Sequence, residues 1–406
     1  MNALSPRPSL LADLRSFPRP LWVLIAGVFI NRFGAFVWPF LTVYLIRRGF
    51  SLGEVSIAVS AFGFGALGGG ILGGWLSDHI GRRNTIVAGT FGSATSVMLL
   101  YQAQTLPWII VFGALIGVCA GTHGPAASAL LADLVPDAQR VRAYATLRIA
   151  GNAGFACGTA VGGVLVNYSL FWLFAGDALT TALYGCVALL WLPHGRRGQT
   201  HGNPWSSALR SLRENRAFHS LWIGAFASAC VAMQFATTYA LHVQQRGVRL
   251  DLGSLHLGPE SLFGLLMSWN GIFVMIFELP LTVWTLRFDA RRVMALGYLL
   301  SGFGFALNGF VHTLGGLFVA MTIFSIGEVI SAPTASALVA RIAPENLRGR
   351  YMGALALSWN FAGIVAPQIG FHLFAIDPLA LWLACAVLGI AAAWSILRTA
   401  KLASLS

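Results

Sequence analysis

Two arginines and three acids lie inside stretches that are otherwise apolar: Arg32, Arg148, Asp177, Glu278 and Glu328. An arginine at the centre of a membrane span costs roughly 2.5–3.5 kcal/mol unless it is paired or hydrated. Arg32, set in Asn31-Arg32-Phe33-Gly34, therefore needs compensation, and the acids available mid-span are Asp177, Glu278 and Glu328. A carboxyl that alternates between low-dielectric surroundings and the neighbourhood of a cation takes up and releases a proton. That chemistry makes Glu328 the first candidate for coupling a proton to another event and Glu278 the second, with Arg32 as the cation to be compensated and Asp177 the third acid of the set, read as a structural partner. Asn31, Gln234, Thr237, Thr238, Asn270, Trp359 and Asn360 could supply polar and aromatic contacts to a small solute. The plainer reading of each polar one is a hydrogen bond between helices.

The elements that must position these groups follow from composition. The chain has 406 residues, 57% hydrophobic and only 10% charged, where about 25% charged is usual in globular proteins. Mean hydropathy is +0.73. Residues 84 to 132, 49 in all, contain no Asp, Glu, Lys or Arg, which is the length of two crossings at about 20 residues each. Disordered, collagenous, coiled-coil and disulfide-rich classes are excluded, because each needs charge, period-three glycine, heptads or dense cysteine. Cys119, Cys157, Cys186, Cys230 and Cys385 lie singly in apolar runs and read as packing residues, with no disulfide framework or zinc site.

Apolar runs between Gly, Pro and charge interruptions give twelve helical spans, near 21 to 45, 52 to 77, 85 to 103, 107 to 131, 144 to 167, 169 to 193, 218 to 242, 260 to 286, 293 to 312, 315 to 340, 351 to 375 and 378 to 397. The first run is too long for a signal-peptide core. With the N-terminus inside, 20 of the 26 basic residues fall in cytoplasmic segments and four (Arg47, Arg48, Arg246, Arg249) in outside loops. The positive-inside rule then places both termini in the cytoplasm. This scatter through short loops is a topology signal and provides no nucleic-acid-binding patch. The longest polar connection, 194 to 217, reads as a cytoplasmic linker between an N-terminal six-helix bundle, 1 to 193, and a C-terminal one, 218 to 406.

The two bundles are repeats. Pro125-Ala-Ala-Ser-Ala-Leu-Leu-Ala, Pro136-Asp137, Arg140, Arg142 and Asn152 return 208 residues later as Pro333-Thr-Ala-Ser-Ala-Leu-Val-Ala, Pro344-Glu345, Arg348, Arg350 and Asn360. Parallel repeats imply a pseudo-two-fold axis along the membrane normal and a cavity between the halves. The repeat breaks where Ala120 corresponds to Glu328 and Asp133 to Arg341, which marks Glu328 as a functional residue beyond the needs of the scaffold.

Between the second and third spans lies Gly74-Trp-Leu-Ser-Asp78-His-Ile-Gly81-Arg82-Arg83-Asn-Thr-Ile86. It resembles the loop signature of the major facilitator superfamily, Gly-x-Leu-x-Asp-x-x-Gly-Arg-Arg-x-x-Leu. The resemblance implies a cytoplasmic gate, completed by Asp133 and Arg142 after the fourth span. In the second half the matching stretch keeps Arg291 and Arg292 but has Arg287 where Asp78 would fall. The fifth span reads Gly154-Phe-Ala-Cys-Gly158-Thr159-Ala-Val-Gly162-Gly163, which is similar to the antiporter signature of drug/proton exporters with Thr159 in place of proline. Gly154, Gly158 and Gly162 also form a ridge for close helix packing, as do Gly113, Gly117 and Gly121. The fourth-span arginine of those exporters is replaced here by Gly113. By the same resemblance spans 1, 4, 7 and 10 line the cavity and spans 3, 6, 9 and 12 are peripheral.

The expectation is an all-α polytopic membrane protein with twelve transmembrane helices in two parallel-repeat bundles. The resemblance implies a monomeric, proton-coupled transporter of the inner membrane that exports small amphipathic compounds by alternating access. Two alternatives are kept: a proton-coupled importer of a small solute or peptide, since Asn31-Arg32-Phe33 and Gly327-Glu328 with Pro333 are similar to proton/peptide symporters, and a non-transporting sensor on the same fold. No enzyme is expected. Gly63-Phe-Gly65-Ala-Leu-Gly68 matches a dinucleotide fingerprint by letters but has no strand before it, no P-loop, nucleophile elbow or zinc helix occurs, and no cofactor or metal is implied.

Overall fold

The computed structural model describes residues 16–195, 205–252, 255–344 and 347–398; Arg7, Arg15, Arg196, Arg197 and Glu345 lie outside them. Span 1 consists of two helices, Arg19–Phe33 and Val37–Arg47. Spans 2 to 6 are Leu52–His79, Arg82–Gln102, Leu106–Leu134, Asp137–Tyr168 and Leu170–Trp191. A linker helix, Trp205–Glu214, precedes span 7, which is again two helices, Arg216–Ala236 and Tyr239–Arg246. Spans 8 to 12 are Pro259–Thr285, Ala290–Leu307, Leu314–Ile342, Arg348–Ile376 and Pro378–Leu397. Ten of these spans are long and apolar enough to cross a membrane. Spans 3 and 9 are more dilute: each begins with an arginine pair, and glycine, serine and threonine interrupt their apolar faces. A two-stranded antiparallel hairpin, β1 (Leu250–Leu252) and β2 (Leu255–Leu257), occupies the connection between spans 7 and 8. The end of the bundle carrying the linker is called the linker face, and the opposite end the hairpin face.

Helix starts follow local chemistry. Span 2 opens on a capping box, with the Ser51 hydroxyl accepting from the Glu54 N–H and Glu54 accepting from the Ser51 N–H. Asp289 and Asp377 cap spans 9 and 12 through backbone N–H groups two or three residues on. Gly81, at φ +90°, makes the left-handed turn into span 3 that a residue with a Cβ would resist.

Packing reproduces the repeat. Within the first half spans 2 and 4, 3 and 4, 3 and 6, 1 and 5, and 1 and 6 adjoin; in the second half the equivalents are 8 and 10, 9 and 10, 9 and 12, 7 and 11, and 7 and 12. Across the halves span 5 packs on span 8 and span 2 on span 11, two seams exchanged by the same two-fold relation. Spans 3 and 9 therefore take equivalent places in the two bundles despite their weaker hydropathy.

Both breaks are corrections to continuous runs. In span 1 the chain turns at Gly34-Ala35-Phe36, where a Cβ on Gly34 would collide with the Thr180 side chain. The freed N–H of Val37 donates to Asp177 Oδ2 at 2.9 Å, and Thr181 donates to Asp177 Oδ1 at 3.4 Å. In span 7 the break at Thr237-Thr238 is filled by their hydroxyls, both of which donate to Gln234 Oε1, at 3.4 and 2.9 Å.

Candidate functional site: the cavity and seams between the halves

The seam between spans 2 and 11 is packed toward the hairpin face. A Cβ on Gly63 would lie 2.6 Å from the Gly363 carbonyl carbon; the Ser60 hydroxyl donates to Ile364 O at 2.7 Å, and Gln368 Nε2 donates to Ser60 Oγ at 3.0 Å. Seven and eleven residues on from Gly63, Gly70 and Gly74 share its helix face, yet a Cβ on either meets nothing within 4 Å; the same is true of Gly349 and Gly353 at the linker end of span 11. The halves therefore part toward the linker face along this seam.

The other seam is polar throughout its length. Thr159, which stands where the exporter signature has proline, shares a hydrogen bond of 3.0 Å with Ser268, and Ser268 donates to Ala156 O at 2.6 Å. Nearer the hairpin face, Asn167 donates to Ser261, which donates to Gly163 O. Arg47 Nη2 and Glu260 Oε1 pair at 2.7 Å at the outer end. Toward the linker face Arg148 pairs with Glu278 at 2.6 Å, again from one half to the other. The glycine-rich stretch of span 5 thus has two faces. Gly154 and Gly162 press on Phe29 O and the Phe40 ring of span 1, at Cβ distances of 2.6 and 2.8 Å, with Gly158 on Phe33 O between them, whereas Gly163 meets the span 8 backbone at Glu260 and Gly264.

In the second half a cavity of about 370 Å³ is bordered by Tyr298, Ser301, Phe324, Glu328, Ser331 and Trp359, among others. Asn270 Nδ2 donates to Glu328 Oε2 and to Ser325 Oγ, each at 2.9 Å, so span 8 orients the acid of span 10. Glu278 is close enough to Glu328 for their charges to interact. Trp359 borders the cavity and is 43% exposed; Asn360 and its mate Asn152 are half-buried. Gln234 and Thr238 are buried in the span 7 break, where Gln234 also donates to Ala366 O and Cys230 O. Asn31 donates to Thr181 in span 6. Tyr298 and Ser301 come from span 9, which the family resemblance puts at the periphery. Their signal was readable: Ser325, Glu328 and Ser331 recur every third residue along one face of span 10, and Tyr298 and Ser301 share that spacing on the neighbouring helix.

At the linker face the expected gate residues form a partial cluster. Arg82 pairs with Asp133 and donates to Ala129 O at 2.8 Å; Arg83 meets His194 at 2.6 Å; Arg140 donates to Ala132 O at 3.2 Å. Arg142 is half-buried and engaged as well. Asp78 forms no hydrogen bond or ion pair with a described residue; it lies on the face of span 2 that continues from Gly70 and Gly74 toward the parted end. Among the described residues no group of three or more His, Cys, Asp or Glu is disposed to hold a metal.

With two six-helix halves, a cavity in the second and two seams between them described, the sequence profile of the Major Facilitator Superfamily matches residues 23–258 and 252–404. The chain belongs to that superfamily. It is a multi-pass membrane transporter of a small solute, and superfamily members of this kind are not enzymes. It is similar to the multidrug resistance protein MdtH of Escherichia coli (strain SE11), 24% identical over 91% of this chain and 89% of that one. A Na(+), Li(+), K(+)/H(+) antiporter of Planococcus maritimus is 24% identical over 87% and 89%. Among solved structures, the nucleoside transporter NupG superposes with a TM-score of 0.81 at 16% identity, covering 94% of this chain and all (100%) of that one. The last likeness establishes the fold.

Proposed function

We propose that this superfamily member is a proton-coupled exporter of small amphipathic compounds in the inner membrane, working by alternating access with the linker face in the cytoplasm. The bodies that rock are residues 1–193 and 218–406, joined by 194–217. The observation that carries the reading is Glu328: an acid on the wall of an aromatic cavity, held by Asn270 and absent from its repeat mate Ala120. Glu278 is the second proton carrier, because protonation there would release Arg148 across the seam. Asp78, Gly74, Gly81, Arg82, Arg83, Asp133 and Arg142 serve as the gate that closes when spans 2 and 11 meet at the linker face. The likeness to a multidrug resistance protein and to a cation/proton antiporter supports export and proton coupling. Import by the same machinery is the second reading, favoured by Arg32 and Glu328 lying in opposite halves.

The test is uptake of ethidium and a panel of anionic and zwitterionic amphipaths into proteoliposomes under an imposed pH gradient. Glu328→Gln is expected to abolish gradient-driven flux while leaving exchange without a gradient, and Glu278→Gln to weaken it. Undiminished gradient-driven flux in both variants contradicts the assignment.

A further inference from the structure

The Arg32 side chain is exposed beside span 5, and no carboxylate or hydrogen-bond acceptor among the described residues partners its guanidinium. The acids that could compensate it are engaged elsewhere: Asp177 caps Val37, Glu278 pairs with Arg148, and Glu328 accepts from Asn270. Span 5 packs on the stem of Arg32, since a Cβ on Gly151 would stand 3.9 Å from Arg32 Cγ and one on Gly154 3.1 Å from Arg32 Cβ. Around this cation stand further donors. His123 of span 4 lies within electrostatic reach of Arg32 and makes no hydrogen bond to a described residue. Its ring meets the Tyr184 ring edge-on, with centroids 6.4 Å apart. Tyr184, only 1% exposed, packs on span 1 at Gly27, and its hydroxyl is buried without a partner.

The repeat sharpens the contrast. The 208-residue shift that aligns span 4 with span 10 sets His123 against Ser331 and Ala120 against Glu328. The second half carries an acid at this level, and the first half carries instead His123 within electrostatic reach of Arg32. An uncompensated intramembrane cation with the unpartnered His123 in electrostatic reach is stabilised by an anion that the described residues do not provide.

We propose that the first half of the protein binds an oxyanion, chiefly a carboxylate, through Arg32, with His123 and the Tyr184 that its ring meets as supporting donors. The site therefore takes the anionic end of an amphipathic or zwitterionic solute. Only the statement that this occupant is cargo rests on the transport reading.

Binding is tested on the purified full chain in detergent, by thermal unfolding followed through tryptophan fluorescence. Sodium benzoate, sodium sulfate and sodium phosphate are titrated against sodium chloride of equal ionic strength. Wild type is expected to show saturable stabilisation by at least one oxyanion, benzoate foremost, beyond chloride. Arg32→Gln should raise the half-saturating concentration about tenfold or more, as loss of a charge-assisted contact requires, with Arg32→Lys intermediate. If Arg32→Gln does not fold, Tyr184→Phe is the deciding variant, with about threefold weaker binding expected from one neutral hydrogen bond. A wild-type response no greater than chloride, or an undiminished response in Arg32→Gln or Tyr184→Phe, overturns the proposal. No proton gradient enters the measurement, so its failure leaves the coupled-flux result standing and is read separately from it.

Discussion

The pair Arg47–Glu260 should act as a clamp on the hairpin face, and its strength can be worked from the structure. Arg47 ends span 1 in the first half and Glu260 opens span 8 in the second, so their 2.7 Å contact exists only while that face is closed. The other partners of each residue stay within its own half: Arg47 donates to Val166 O and Asn167 Oδ1, and Glu260 accepts from Gln244. Removing either charge should therefore weaken the closed state without unfolding either half. Fully exposed pairs contribute about 0.2–1 kcal/mol, while removing one partner of a buried pair costs about 3–5 kcal/mol. The Arg47 and Glu260 side chains are 35% and 13% exposed, which places this pair between those limits, near 1.5–2 kcal/mol on the order of magnitude. At about 1.4 kcal/mol per decade, the hairpin-open population should rise about tenfold to thirtyfold. The assay is double electron–electron resonance between spin labels at Gly53→Cys and Ile376→Cys in a background without the five native cysteines. Arg47→Gln and Glu260→Gln should each enlarge the long-distance population by that factor, and the double variant should do no more than either single one. Unchanged distances, or effects that add in the double variant, refute the clamp.

Two other substitutions separate scaffold from mechanism. Asp177→Asn keeps an oxygen for the Val37 N–H and is expected to retain coupled flux with only a small loss of stability, whereas Asp177→Leu leaves that donor unpaired and should cost about 1–3 kcal/mol in thermal or denaturant unfolding; loss of coupling in Asp177→Asn would move this residue from the scaffold to the proton path. Asp289 lies outside the spans, where burial pushes its carboxyl up but the N–H of Arg292, the Arg291 guanidinium and the N–H of Arg291 outweigh that and hold it below the usual carboxylate value. A depressed folded value means the cap stabilises above the unfolded value, about pH 4, and fades as pH falls through the folded one. Asp289→Ala should thus cost about 1 kcal/mol at neutral pH and nothing measurable near pH 2; an equal difference at both pH values refutes it.

Much of this arrangement was legible because membrane helices declare themselves by length and apolarity, and because Pro125 to Asn152 returns as Pro333 to Asn360. The repeat carried the architecture. The breaks in spans 1 and 7 were not legible, since no proline sits at either turn and the groups that stabilise them, Asp177 and Gln234, are distant or look like cavity polar residues. For the same reason Gln234 and Thr238 read as solute contacts, although burial in a helix break uses their hydrogen bonds. Glu328 was marked by the repeat's failure at that position. Its neighbours Tyr298 and Ser301 are signalled only by their three-residue polar spacing, on a span that the family resemblance puts at the periphery. The isolation of Arg32 could not be read at all: it depends on where three acids from other spans direct their oxygens.

The most direct test of the account is the direction of movement. Proteoliposomes of the wild-type protein, preloaded with buffer at one pH and diluted into another, are assayed with the amphipath panel for accumulation or depletion. Coupled antiport predicts that compound moves opposite to the proton gradient and reverses when the gradient is reversed. Movement along with the protons, or a distribution that ignores the gradient for every compound, would contradict it.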